Sequence, residues 1–233
     1  MVYKNYSPEQ LECAAEQLLN KFDPELLKSP KEYDVYAVIE KCLGVDYGWQ
    51  YIRPDQKILG LTAFNDGYIY VSPTPYVYEG IKPKQIHLSK GEIVIDSTLT
   101  EGNNRGRENF TVLHEVAHQV LHKESFCEYS PSYILQMSDN SLRANSLRPE
   151  EKHLLAARDH IERQANTFAA AFLMPRQTVP ETWRKISGYA HRIPERLLSE
   201  HLLKTLADEY QSSKQAMLYR MYHLGLVIPE GLS

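Results

Sequence analysis

The sequence predicts an α+β fold, with helices at both ends of the chain, strands in its first half and a helical C-terminal part. Three observations carry this. Apolar residues recur at helical spacing in SPEQLECAAEQLLNKF, NFTVLHEVAHQVLHKE and PEEKHLLAARDHIERQANTFAAAFLMP. β-Branched and aromatic residues crowd LGLTAFNDGYIYVS and GEIVIDS. After Pro175 the pattern is helical again, with a helix–turn–helix rhythm in LLKTLADEYQSSKQAMLYRMYHLGLV.

The elements follow in order. Ser7 caps a first helix and Pro8 takes its favoured first position, with Leu11, Ala14, Ala15, Leu18 and Leu19 on one face. A second helix is expected over Asp34 to Leu43, stopped by Gly44. Asn65-Asp66-Gly67 reads as the turn of one hairpin, and Ser89-Lys90-Gly91 as the turn joining QIHL to GEIVIDS in another. PTPYVYEGIKPK between them reads as an ordered loop. A helix resumes near Asn109, and Ser125 to Arg148 reads as an irregular polar loop. A long helix then starts near Pro149 and ends at Pro175.

Size and charge narrow the function classes. The chain has 233 residues, 42% of them hydrophobic, which suits one domain with a small appendage. We divide it into residues 1–180 and a helical subdomain over 181–233. The net charge of −4 gives no global pull toward nucleic acid or anionic membrane. Cys13, Cys42 and Cys127 are odd in number and widely spaced, so they form no disulfide framework and no CxxC knuckle. MVYKNYSPEQ lacks the apolar core of a signal peptide, and no run approaches the ~18 apolar residues of a membrane span. The expectation is a cytoplasmic protein without a membrane partner.

His114-Glu115-Val116-Ala117-His118 carries the chemistry. It is an HExxH motif inside an amphipathic helix. Residues four apart on a helix lie about 6 Å apart along its axis, so two imidazoles can converge on one cation. Zinc lowers the pKa of a bound water to about 7, and Glu115 is placed to take its proton and pass it to a leaving amine. With 9 His and 30 Asp+Glu in the chain, chance supplies roughly 0.05 such matches. The competing reading is a surface helix with two solvated histidines.

A catalytic zinc needs a third protein ligand. His122 is eight residues beyond His114, about 12 Å along a straight helix, which is too far for one metal to bind all three histidines. It reads as a support behind the ligands or as a surface histidine. The HExxHxxGxxH pattern is missing, because Leu121 and Glu124 stand where its Gly and third His belong. Asp159 and Glu162 on the long helix are the acidic candidates. Glu162 fits a known thermolysin-like arrangement, a Glu from a second helix with a polar residue one turn on: Ala165 is small enough for close approach, and Asn166 shares the Glu162 face, able to bond the far nitrogen of a ligand histidine. The competing readings are a surface Glu162 paired with Arg158 at i−4, and a surface charge or helix salt bridge for Asp159.

These segments resemble a known family. FTVLHEVAHQVLH followed by IERQANTFAAAFLMP is similar to the two signature segments of the ImmA/IrrE metallo-endopeptidases. Phe110, His114, Glu115, His118, Leu121 and His122 match the first. Glu162, Ala165, Asn166, Phe168, Ala169, Leu173, Met174 and Pro175 match the second. GEIVIDS resembles the family's edge strand before the active-site helix. The resemblance implies zinc, a zincin-like, gluzincin-like domain with a small antiparallel sheet on the HExxH helix, and cleavage of a helix–turn–helix repressor in bacterial or prophage control. AFLMP departs from the common LLMP, and the polar insert before Arg148 bears on the shape of the substrate cleft.

Other features are weighed on the same terms. Ile93, Val94 and Ile95 form either an edge for a substrate strand or plain sheet core. Tyr68, Tyr70, Tyr76 and Tyr78 are candidates for a peptide groove, but nothing selects one as an oxyanion donor. Lys204, Lys214 and Arg220 are the residues that would touch phosphate if the C-terminal helices bound DNA. Asp208 and Glu209 oppose this, so packing or partner recognition is the default.

The sequence therefore predicts a zinc endopeptidase. His114, His118 and Glu162 hold Zn2+, Glu115 is catalytic, Asn166 orients a ligand, and the substrate is a protein. The alternative is a regulatory DNA- or protein-binding module with a structural or vestigial zinc site.

Overall fold

A computed structural model describes residues 4–102, 105–127, 129–132 and 149–230. Helix α1 (Pro8–Phe22) opens with a full capping box: the Ser7 hydroxyl accepts from the Gln10 amide, and the Gln10 side chain accepts from the Ser7 amide at 2.8 Å. Its buried face is Leu11, Ala15 and Leu19. Helix α2 (Tyr36–Val38) begins two residues later than expected and runs on as a π-turn over Ile39–Leu43. Gly44 closes it at φ 64°, donating to the Ile39 carbonyl.

Five strands follow: β1 (Tyr47–Gln50), β2 (Gly60–Thr62), β3 (Gly67–Val71), β4 (Lys84–Leu88) and β5 (Ile93–Asp96). They form a mixed sheet in the order β1-β5-β2 and a separate β3-β4 pair. Strand β5 is parallel to β1 and antiparallel to β2. Alternation along β5 is complete. Ile93 and Ile95 enter the main core, while Val94 joins a second cluster with Leu61, Ile69 and Leu88 on the other face.

Both predicted hairpins are corrected by this pairing. Asn65-Asp66-Gly67 leads from β2 into β3, whose first residue is Gly67, and the two strands belong to different sheets. Ser89-Lys90-Gly91 likewise separates β4 from β5. The real hairpin is β3–β4, in register through Ile69 and Ile86, and its connection is the Pro- and Tyr-rich loop. The two predicted turns hold each other instead. The Asp66 side chain accepts from the Lys90 amide at 2.9 Å, and the Gly91 amide donates to the Ala63 carbonyl at 2.7 Å. Period-2 patterning marks a strand without naming its partner, and here burial of two sheet faces chose the partners.

The edge-strand expectation for GEIVIDS also fails. Strand β5 is central and buried along its whole length, as a continuous apolar run between two neighbours should be. The edges are β1 and β2, and it is β2 that lines the cleft.

Helix α3 (Arg105–Leu121) buries Val112, Leu113, Val116 and Ala117, and a short helix α4 (Lys123–Phe126) follows it. Of the rest of the predicted polar loop, residue 128 and residues 133–148 lie outside the described residues. Helix α5 (Pro149–Leu173) packs along α1 and α3. Met174 is buried and Pro175 follows the helix end, as the sequence predicts.

Helices α6 (Val179–Ser187), α7 (Glu200–Glu209) and α8 (Lys214–His223) complete the fold, with Ile193–Pro194 (β6) pairing in parallel with Val227–Ile228 (β7). Leu206, Tyr210, Met217 and Met221 share one core cluster with residues of α1, α3 and α5. Arg220 is not available to phosphate. It is 1% exposed, paired with Glu12 of α1, and its Nε donates to the Met174 carbonyl at 2.8 Å. The α7–α8 turn also braces the start of α3. A β-carbon on Gly106 would lie 2.4 Å from the Ser212 carbonyl carbon, and Asn109 donates to the Gln211 carbonyl. No helix among the described residues is long and apolar enough to cross a membrane.

Candidate metal centre

Two helices build the site. On α3 the apolar residues turn into the core, leaving His114 and His118 one turn apart on the face toward a cleft. Helix α5 approaches closely because Ala165, fully buried, stands at the contact. Glu162 and Asn166, again one turn apart, then face the histidines. Glu162 Oε2 lies 3.0 Å from His114 Nε2, and Oε1 lies 3.8 Å from His118 Nε2. The two Nε2 atoms are 3.0 Å apart. One ligand atom from each of the three residues lies within 4.8 Å of the others. Two imidazole nitrogens and a carboxylate oxygen converge on a point open to a cleft, a donor set that suits a divalent metal ion such as zinc. Asn166 Oδ1 lies 3.0 Å from His114 Nδ1.

Charge in the cluster is strongly redistributed. Burial pushes the His118 imidazole down to about 3, and the nearby Glu162 carboxylate does not offset it. Burial also works against charge on His114, but its hydrogen bond to Glu162 wins and lifts it to about 9. Burial acts to raise the Glu162 carboxyl, yet the His114 hydrogen bond and the charge of both histidines hold it near 2. Without metal, His114 and Glu162 therefore form an ion pair, while His118 keeps a neutral ring with a lone pair to give.

Glu115 sits beside this cluster, 5% exposed. Its Oε2 accepts from the Thr62 hydroxyl at 2.7 Å. Burial raises its carboxyl to about 7, against the pull of the His114 charge and the Thr62 hydrogen bond. A carboxyl poised near neutrality both takes and gives up a proton readily. Strand β2 runs past it so closely that Gly60 has no room for a β-carbon.

The cleft holds about 540 Å³ and is lined by β2, the metal-site residues and an apolar wall of Phe64, Phe126 and Ile161. Phe64 stacks on Phe126 with centroids 5.1 Å apart and makes a T-shaped contact with the His118 ring. These three form a hydrophobic cluster separate from the main core.

The remaining candidates fall elsewhere. Asp159 is engaged by Arg158 at 2.8 Å and lies outside the His114–His118–Glu162 cluster. His122 is fully buried, with its Nδ1 3.0 Å from His118 Nδ1, so it stands behind the ligands and not on the surface. Tyr68, Tyr70, Tyr76 and Tyr78 are exposed on the β3–β4 side. The last three line a different groove, and none of the four lines the cleft. Sequence reasoning passed over Gly60, Thr62 and Gln164. A glycine inside a strand pattern was the available signal for the first, since it often marks close approach of another group.

Comparison with known proteins agrees with this geometry. No curated protein gives a significant match to the chain. A family model described as the IrrE N-terminal-like domain matches residues 76–222, a span that contains both histidines, Glu115, Glu162 and Asn166 but begins after β2. Since that span is well over half of the chain and holds the whole ligand cluster, the protein belongs to the IrrE N-terminal-like domain family.

Proposed function

We propose that the protein is a zinc metallo-endopeptidase. The observation that carries this reading is the convergence of His114, His118 and Glu162 on one point of the cleft, with the buried carboxylate of Glu115 alongside. His114, His118 and Glu162 would hold the zinc, which when bound would supply an acidified water and a Lewis acid for the scissile carbonyl. Glu115 takes the proton of the attacking water and delivers it to the leaving amine. The Thr62 hydroxyl keeps the carboxylate aimed, and Asn166 fixes the His114 ring.

The substrate is a protein segment in extended conformation. Strand β2 is an edge beside the metal site, so a peptide adds antiparallel to it, and its side chains meet the Phe64–Phe126–Ile161 wall. The likeness of the two signature segments to ImmA/IrrE metallo-endopeptidases supports a helix–turn–helix repressor as the class of substrate, and our reading places the reaction in the cytoplasm. Among the described residues no fourth protein ligand joins the cluster, which favours a catalytic over a structural metal.

The test is metal analysis and cleavage of a candidate repressor by wild type, Glu115→Gln and Glu162→Ala. Wild type should carry one zinc and cleave. Glu115→Gln should keep zinc and lose cleavage, and Glu162→Ala should lose both. Cleavage that survives Glu115→Gln, or undiminished zinc in Glu162→Ala, defeats the proposal.

A further inference from the structure

Behind the metal site a line of buried polar side chains runs from His118 to the N-terminal segment. His118 Nδ1 is 3.0 Å from His122 Nδ1, and His122 Nε2 is 2.9 Å from Gln164 Oε1. The Gln164 amide nitrogen donates to the backbone carbonyl of Lys4 at 3.3 Å and lies 2.9 Å from His160 Nε2. His122 and Gln164 are 0% and 2% exposed, so each polar atom must find its partner inside the protein.

The direction of this chain is set at its far end. A backbone carbonyl can only accept, so the Gln164 group facing Lys4 must be the NH2. Its Oε1 then faces His122 and can only accept as well. A neutral His122 must present its N–H from Nε2, which leaves Nδ1 bare. Two ring nitrogens 3.0 Å apart need one donor and one acceptor, so His118 carries its proton on Nδ1. Its lone pair is thereby on Nε2, the atom that faces His114 Nε2 and Glu162.

We propose that His122 and Gln164 are positioning residues that lock His118 in its metal-binding tautomer before any metal arrives, with the Lys4 carbonyl as the anchor. The inference rests on the metallopeptidase reading only in taking the cluster to be a metal site. The two ligand histidines are fixed differently. His114 is held by Asn166, an exposed amide. His118 is held by a buried chain in which a reversed amide would set Gln164 Oε1 against the Lys4 oxygen.

The test uses the full chain, Zn2+ alone as the probe, and three readouts. These are zinc affinity by chelator competition, thermal stability of the metal-free protein, and 15N NMR of the histidine rings in the metal-free state. Wild type should show His118 protonated on Nδ1 and not on Nε2. Gln164→Met and His122→Leu should bind zinc about 10–100-fold more weakly, and Gln164→Met should mix the His118 tautomers. A purely structural role would lower thermal stability and leave the tautomer and zinc affinity of the folded fraction unchanged. Wild-type zinc affinity in both folded variants overturns the inference, as does a wild-type His118 protonated on Nε2. That NMR result stands even where a variant fails to fold. Wild type that binds no zinc would instead defeat the metallopeptidase reading itself.

Discussion

Gly60 and Glu115 are in contact that only a glycine permits. A β-carbon at position 60 would lie 2.4 Å from Glu115 Oε1 and 2.8 Å from its Cγ. The carboxylate cannot simply swing aside, because Oε2 accepts from the Thr62 hydroxyl on the same strand. An edge strand and the Glu115 carboxylate, the general base in our proposal, thus share one space, and the position of that carboxylate depends on a residue that carries no chemistry.

Gly60→Ala should therefore damage catalysis without touching the metal ligands. Displacing Glu115 by about 1 Å is expected to lower kcat by about 100-fold. Zinc content should stay at the wild-type level. Metal analysis beside steady-state kinetics checks this, and a fully active Gly60→Ala enzyme would refute the contact.

The raised Glu115 carboxyl predicts a pH-dependent stability difference in the metal-free protein. Its folded pKa of about 7 is above its ordinary value of 4.5. The folded state therefore binds more protons than the unfolded state between those values, and stability is lost as pH rises through that window. Glu115→Gln removes this loss. Relative to wild type it should be more stable at pH 8 by at most about 3 kcal/mol, with the gap closing below about pH 4.5. Denaturant melts of both proteins in chelator at several pH values measure it, and parallel curves would contradict the assignment.

Removing the metal should cost both activity and stability. Chelation is expected to abolish cleavage, and added zinc should restore it. Saturating zinc at about 1,000 times its Kd adds about 4 kcal/mol to the folded state, a Tm rise on the order of 10 °C. A Tm indifferent to zinc would speak against a site formed only by the folded chain.

The Glu12–Arg220 pair should behave as a buried ion pair that is costly to break. Glu12 and Arg220 side chains are 7% and 0% exposed. Glu12→Ala leaves the guanidinium with the Met174 carbonyl but no carboxylate, and should destabilise the protein by about 3–5 kcal/mol. Replacing both residues with apolar ones of similar volume should cost much less. Because this pair joins α1 to α8, the loss should appear as one cooperative transition.

What the sequence alone determined about this protein is what lies within single helices. HExxH was legible because four-residue spacing is a property of one helix, and so was the Glu162–Asn166 face of α5. The Ser7 cap, the Gly44 stop and the Pro175 break were legible for the same reason: each acts on its own few residues. Tertiary structure alone decided which strands pair. Asn65-Asp66-Gly67 and Ser89-Lys90-Gly91 have hairpin chemistry, yet burying Val94 on one face of β5 and Ile95 on the other drew β2 to β5 and β3 to β4. That choice put β2, not β5, at the edge of the cleft, and set Gly60 and Thr62 against Glu115. It was likewise the crossing of α3 and α5 that buried His122 against Gln164. Partners distant in sequence are selected by shared burial, and no local pattern carries that information.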